Sequence, residues 1–349
     1  MDKKDKPVHI LVIRLSALGD VAMMVPVLQA LHLKYPDIRT TILTKKAFAP
    51  IFAEVEKVEV VVAKVKREHK GFQGLWRLYR ELKKREIDAV ADLHNVLRSK
   101  ILKKYFSLSR TPFFQIDKGR KEKKALTRTN NKDFKQLKTT HERYAEVFHA
   151  LGFPLDLGAA TPLQRQPLSK EILNLIGQNT QKWIGIAPFA AHKGKMYPLE
   201  RMEEVIQNLN DTEKYKILLY GGGERESKYL ENLSRHYANT LNLAGKLALK
   251  DELKVISNLD VMVSMDSGNA HLAANYGIPV VTLWGVTHPY AGFYPFGQPL
   301  GNALLPNRDR YPLIPTSIYG NKVPPGYEKV METITPQSVV EKIHKVLAN

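Results

Sequence analysis

The chain has 349 residues, 44% hydrophobic and 25% charged, which is enough apolar content for a buried core and too long for one small domain. It has no cysteine, which excludes a disulfide scaffold, a thiolate metal site and a cysteine nucleophile. A net charge of +18 calls for an acidic partner: nucleic acid, an anionic membrane surface or a phosphorylated substrate.

Val8–Arg14 (VHILVIR) is a β-branched run expected to form a strand buried on both faces. Arg14 and Asp20 interrupt the apolar stretch after the basic N-terminus, which argues against a signal peptide. A turn at Ala17-Leu18-Gly19 and a helix over Asp20–Tyr35, ended by Pro36, follow. Ile38–Leu43, Val58–Val62 and Ile87–Ala91 repeat the strand pattern, with helical stretches such as Leu75–Arg85 between them. This alternation predicts a parallel sheet covered on both faces. Gly152–Pro167, with three prolines, reads as a linker.

The alternation then restarts. Strands are expected at Trp183–Ala187, Lys216–Tyr220, Thr240–Leu243, Val261–Ser264 and Pro279–Leu283. Helices are expected at Leu199–Asn210, Glu224–Tyr237, Lys250–Asn258 and Gly268–Tyr276. Residues 285–335 are rich in Pro and Gly, and Pro336–Leu347 closes the chain as a helix. The longest run without Asp, Glu, Lys or Arg, Ser267–Asn307, is broken by prolines and does not read as a membrane helix. The expectation is a cytoplasmic α/β protein of two doubly wound halves facing across a cleft. Ligands in such sheets bind beyond the carboxyl ends of the strands.

Charge is uneven: Arg98–Arg143 holds 15 basic and 4 acidic residues. One reading is a solvated helix and loop; the other is a docking face for a polyanion. Aromatic residues are sparse there, so a phosphorylated lipid or membrane face is expected rather than nucleic acid.

Several signatures are absent: the P-loop, H-E-x-x-H and D-x-D. No local pattern holds a metal, and no cofactor is expected. Four places after strands carry chemistry. Asp20, in an opening helical turn, reads either as a helix N-terminal acid or as a general base, with Ser16 and Gly19 beside it. Asp266, Ser267, Gly268 and His271 (MDSGNAH) form a cap and first turn suited to a phosphate or diphosphate. Lys193 and Lys195 stand in the HKGKMYP loop, where a cation can neutralise a leaving phosphate, Lys193 reading as the solvated one. In the G-G-G-E-R-E stretch at 221–226, Glu224 or Glu226 reads as a ribose-binding acid or as a plain first-turn acid.

These motifs resemble those of the ADP-heptose–lipopolysaccharide heptosyltransferases, glycosyltransferase family 9. ILVIRLSALGDVAMMVPVLQALHLKYP is similar to that family's N-terminal signature, and VSMDSGNAHLAANYGIPVVTLWGVTHP to its second. DLHNVLRS at 92–99, KMYP at 195–198 and GGGERE at 221–226 fall between them in the family's order. The resemblance implies a GT-B fold with an acceptor domain (1–160), a nucleotide-sugar domain (161–335) and a final helix (336–349) crossing back to the first. It also implies inverting, metal-independent transfer of heptose from ADP-heptose to an anionic lipopolysaccharide-core acceptor of the Kdo- or heptose-lipid A type, at the inner-membrane surface. Under it Asp20 is the base and Lys195 the diphosphate-binding lysine. Asp266, Ser267, Gly268, His271 and Glu224 or Glu226 hold the donor, and Ser16, Gly19 and Arg98 lie on the acceptor side. Alternatives are a relative using another NDP-sugar and a non-catalytic basic nucleotide- or nucleic-acid-binding protein. The family pattern often has Pro-Gly where this chain has Pro188-Phe189, Trp at Tyr197, and proline at Val286.

Overall fold

The computed structural model describes residues 8–177 and 181–348. The chain forms two compact units, one of residues up to 118 plus 140–163, the other of 119–139 plus 164 onward.

The first unit holds five strands: β1 His9–Ile13, β2 Arg39–Thr44, β3 Val58–Val62, β4 Ala89–Asp92 and β5 Phe113–Gln115. They pair in parallel in the order β3-β2-β1-β4-β5. β1 is buried along its whole length because helices cover both faces, which is why its sequence runs apolar without alternation. The order reverses direction between β1 and β4, and in open α/β sheets it is beyond the carboxyl ends at such a reversal that ligands bind. The helix expected over Asp20–Tyr35 is two pieces, Leu18–Ala22 and Met24–Lys34.

The second unit holds six: β6 Lys182–Ala187, β7 Tyr215–Leu219, β8 Thr240–Asn242, β9 Val261–Met265, β10 Val280–Leu283 and β11 Ala303–Leu304. Their order is β11-β10-β9-β6-β7-β8, all parallel, the full doubly wound pattern with its reversal between β6 and β9. The core joins Ile184, Ile186, Val261, Val263, Val281 and Leu283 of the sheet to the helix Leu199–Asn210.

Two expectations are corrected. The final helix, Pro336–Ala348, buries Val339, Val340 and Ile343 in the core of the second unit, since its apolar stripe packs beside Leu199–Asn210. The domain boundary near 160 is interrupted, because residues 119–139 belong to the second unit. There Leu126 and Leu137 pack with Ala291, and Leu137 N–H donates to the Tyr290 carbonyl at 3.0 Å.

That excursion also changes the reading of the basic stretch 98–143, which is not one surface. The Lys132 ammonium donates to the carbonyls of Leu126, Leu313 and Pro315 at 3.1, 2.7 and 2.6 Å. Lys123 is buried with its ammonium 4.3 Å from the centre of the Phe293 ring, and Arg143 is buried as well. These cations satisfy buried carbonyls and aromatic faces and are not displayed to an outside anion.

Candidate functional site

In the first unit the chemistry gathers at the reversal between β1 and β4. β1 delivers Arg14, which is buried, and the following turn delivers Asp20 in the helix Leu18–Ala22. Arg14 Nη2 lies 2.5 Å from Asp20 Oδ2, and the same oxygen accepts the Ala17 N–H at 3.2 Å. Both contacts use Oδ2 of a carboxylate whose side chain is one-quarter exposed. Arg14 Nη1 donates to the Leu93 carbonyl at 2.6 Å, tying the β1 end to the β4 end. Burial works against the guanidinium charge, but Tyr144, Asp20 and Asp92 around it more than offset that and hold its pKa above the ordinary value. The Tyr144 hydroxyl donates to the Asp20 carbonyl at 3.0 Å, anchoring the turn from beneath.

The β4 side adds a group that the sequence reading passed over. Asp92 is fully buried, and its Oδ1 accepts from the His94 and Asn95 amides at 2.9 Å each, while Oδ2 accepts from Gln115 Nε2 at 2.8 Å. This turn points His94 at the β1 end, its Nδ1 3.4 Å from the Leu15 amide and its Nε2 3.5 Å from Ser16 Oγ. Burial, with Arg14 nearby, pushes the His94 imidazole down to about 4, so it is neutral at pH 7 and accepts at Nδ1. The DLHN stretch was visible as a motif; only the β1–β4 pairing, which sets Ile13 opposite Asp92, shows what His94 faces.

Of the acceptor-side residues, Ser16 and Gly19 lie in the turn that carries Asp20, the Gly19 carbonyl accepting from Met23 at 2.9 Å. Arg98 does not join them. It is exposed on the helix Leu97–Ser107 and lines a surface groove with Phe72 and Leu97, with no hydrogen bond or ion pair to Asp20 among the described residues.

In the second unit the reversal between β6 and β9 brings Lys195 and Asp266 together across 71 residues of chain. Lys195 Nζ lies 2.8 Å from Asp266 Oδ2 and donates to the Asp266 carbonyl at 3.1 Å. Asp266 is buried, whereas Lys195 keeps 16% of its side chain exposed. Lys193 is exposed two residues earlier.

The loop that presents Lys195 is held by close backbone approach. A Cβ on Gly194 would meet the Gly320 carbonyl and Val286 Cγ2, each at 2.6 Å, and Val286 N–H donates to the Gly194 carbonyl at 2.8 Å. Gly320, at φ +75°, leaves room for the stem of Lys195 that a side chain would fill. Tyr197 closes the loop, its hydroxyl donating to the Ile334 carbonyl at 2.7 Å.

Ser267 stands at the N-cap position of the helix Gly268–Asn275 but makes no side-chain capping bond; its hydroxyl lies 2.9 Å from Ser264 Oγ instead. Gly268 opens that helix and His271 is buried in its first turn. A helix start with amides lacking intrahelical partners, one glycine wide and next to an ammonium, suits a multiply charged phosphate oxygen cluster. Glu226 Oε2 accepts the Gly222 N–H at 2.7 Å, so it braces the glycine turn, while Glu224 is exposed one residue into the helix Gly223–His236. The structure thus separates the two acids that the sequence left equal. Among the described residues no group of three His, Asp or Glu could hold a metal ion, and no helix is long and apolar enough to cross a membrane.

Comparison with known proteins gives a family and a fold. The profile of glycosyltransferase family 9 (heptosyltransferase) matches residues 75–308. The lipopolysaccharide core heptosyltransferase OpsX of Haemophilus influenzae is 25% identical over 291 residues, covering 82% of this chain and 81% of that protein. Among solved structures, a glycosyltransferase family 9 protein from Veillonella parvula superposes with a TM-score of 0.76 at 19% identity, covering 98% of both chains. The Escherichia coli heptosyltransferase WaaC, solved with ADP, superposes with a TM-score of 0.67 at 19% identity over 97% of this chain and 100% of that one.

Proposed function

This chain belongs to glycosyltransferase family 9, the heptosyltransferase family, and on that premise we propose that it transfers heptose from ADP-heptose to a lipopolysaccharide-core acceptor by a metal-independent, inverting reaction. The observation that carries the proposal is the Lys195–Asp266 pair beside the start of the helix Gly268–Asn275, at the switch point of the second sheet. The similarity to WaaC with ADP supports the nucleotide, and the similarity to lipopolysaccharide heptosyltransferases supports the sugar and acceptor.

In this reading the second unit holds the donor. Lys195 and the first-turn amides of Ser267 and Gly268 meet the diphosphate, Asp266 keeps the lysine in place, and Glu224 accepts from the ribose. His271 shapes the floor of the same pocket. In the first unit, Asp20 Oδ1 takes the proton of the acceptor hydroxyl. The freed oxygen attacks the anomeric carbon from the face opposite the diphosphate, the bond from that carbon to the phosphate oxygen breaks, and ADP departs with the electron pair. Arg14 fixes the carboxylate and neutral His94 accepts from groups at the β1 end. Charge developing on ADP is met by Lys195 and backbone amides, so no divalent ion is required.

A panel of ADP-heptose, ADP-glucose, UDP-glucose and GDP-mannose tests the donor. ADP-heptose should bind tightest by calorimetry, and a ligand at 100 times its dissociation constant should add about 2.7 kcal/mol of stability. Preference for a uridine or guanosine donor would overturn the assignment.

A further inference from the structure

The helices Gly71–Lys83 and Leu97–Ser107 lie side by side on the outer face of the first unit, and both expose apolar residues on their solvent side. Phe72, Leu97 and, just past the second helix, Leu108 are 69%, 74% and 70% exposed, and Trp76 is 40% exposed. On the first helix Phe72 and Trp76 stand four residues apart, so they share one face. Trp76 packs edge-on against Tyr105 at 5.1 Å between ring centres, and the Tyr105 hydroxyl donates to the Phe72 carbonyl at 3.2 Å. Trp76 and Tyr105 are therefore held against each other, with the backbone at Phe72 tied to them.

Two shallow grooves run through this patch. One is lined by Phe72, Leu75, Leu97 and Ile101 with Arg98 at its edge, the other by Trp76, Tyr79 and Leu108 with Arg80, Lys83 and Lys84. Leu97–Ser107 carries four basic residues and no acidic one. An apolar patch of this kind on a monomer's surface marks a contact site. Its rim of cations selects an occupant with anions at the edge and hydrocarbon at the centre.

We propose that this face docks on an anionic phospholipid bilayer, with Phe72, Trp76, Leu97 and Leu108 entering the headgroup–acyl boundary and Arg80, Lys83 and Lys84 engaging lipid phosphates. Tryptophan fits the polar–apolar boundary, and basic side chains lie where anionic headgroups attract them. Of the basic stretch 98–143, whose charge first pointed to a membrane, the helix Leu97–Ser107 belongs to this face, whereas Lys123 and Lys132 turn their charge into the second unit. The proposal rests on the reading that the acceptor is lipid-linked, and it gives that reading a place on the molecule.

The test uses the full chain and sedimentation with vesicles. The protein should partition onto phosphatidylglycerol–phosphatidylethanolamine vesicles, weakly onto pure phosphatidylcholine, and less as salt rises. Phe72→Ser/Leu97→Ser/Leu108→Ser alters only exposed side chains, and Arg80→Glu/Lys83→Glu/Lys84→Glu alters only the rim. Each should lower the partition coefficient roughly tenfold or more, while heptose transfer to a deacylated, soluble acceptor stays at the parent level. Unchanged partition in both variants, or no binding of the parent to anionic vesicles, would overturn the proposal. So would a dimer of the parent that the serine variant dissolves without a change in partition, since the patch would then belong to a second copy of the chain. Failure of the parent to transfer heptose to the soluble acceptor, with vesicle binding intact, would instead count against the function and leave the docking face standing.

Discussion

Lys195 and Asp266 make a double contact: the ammonium meets both the carboxylate, at 2.8 Å, and the carbonyl, at 3.1 Å, of the same residue. A lysine held this way arrives at a diphosphate already oriented, and removing either partner leaves the other poorly paired in a half-buried place.

Lys195→Ala and Asp266→Ala should each weaken ADP binding by roughly 10- to 100-fold, equivalent to about 1.4–2.8 kcal/mol. His271→Ala should weaken it too, by less. Titration calorimetry reads all three, with thermal melts as the folding control. Parent-like ADP affinity in Lys195→Ala and Asp266→Ala would move the nucleotide site elsewhere.

Gly320 lies far from any motif in sequence, yet a side chain there would occupy the space of the Lys195 stem. Gly320→Ala should therefore act like a milder Lys195 variant, weakening ADP while Asp20-side chemistry is untouched. If Gly320→Ala binds ADP as the parent does and melts at the same temperature, the loop is not the lysine's support.

Asp20→Asn should bind ADP normally and lose transfer by roughly 10²–10⁴-fold, because an amide takes no proton. Arg14→Lys should lower kcat more than it raises KM, since a point charge cannot contact both Asp20 and the Leu93 carbonyl as the guanidinium does. Steady-state kinetics with a calorimetric control separates these outcomes, and near-parent turnover in Asp20→Asn would remove it as the base.

Three buried histidines make stability depend on pH. Burial lowers His32, His94 and His288 to about 4, below the ordinary 6.5. The unfolded chain takes up these protons first, so the stabilisation is complete above 6.5 and is lost as pH falls toward 4. Each site contributes up to roughly 3 kcal/mol when fully developed. The melting temperature should hold between pH 8 and 7 and then drop steadily below 6.5. A flat profile down to pH 4.5 would contradict the buried, neutral state of these rings.

Local pattern carried much of this architecture and some of the site. β1, β9 and the helix start at Gly268 are continuous stretches whose burial shows in their own letters, and so Asp20 and Asp266 stood out. β5 and β11, three and two residues long, have too little sequence to show a period. Arg14 and His94 were not singled out because their meaning depends on β1 lying next to β4, a pairing of segments 79 residues apart. The stripe of Val339, Val340 and Ile343 announced a partner for the last helix without saying which unit supplies it. Charge counting misled most at Lys123 and Lys132, because composition does not reveal whether an ammonium meets water or a buried carbonyl.

The proposed reaction is transfer of heptose with inversion and without a metal. The direct measurement incubates the full chain with ADP-heptose and a Kdo-bearing lipid A acceptor in EDTA, identifies the product by mass, and assigns its anomeric centre by NMR. The product should be an acceptor heavier by one heptose, joined with the configuration opposite to that of the donor. Retained configuration, activity that appears only on adding Mg²⁺ or Mn²⁺, or no product from ADP-heptose while another nucleotide sugar reacts would contradict it.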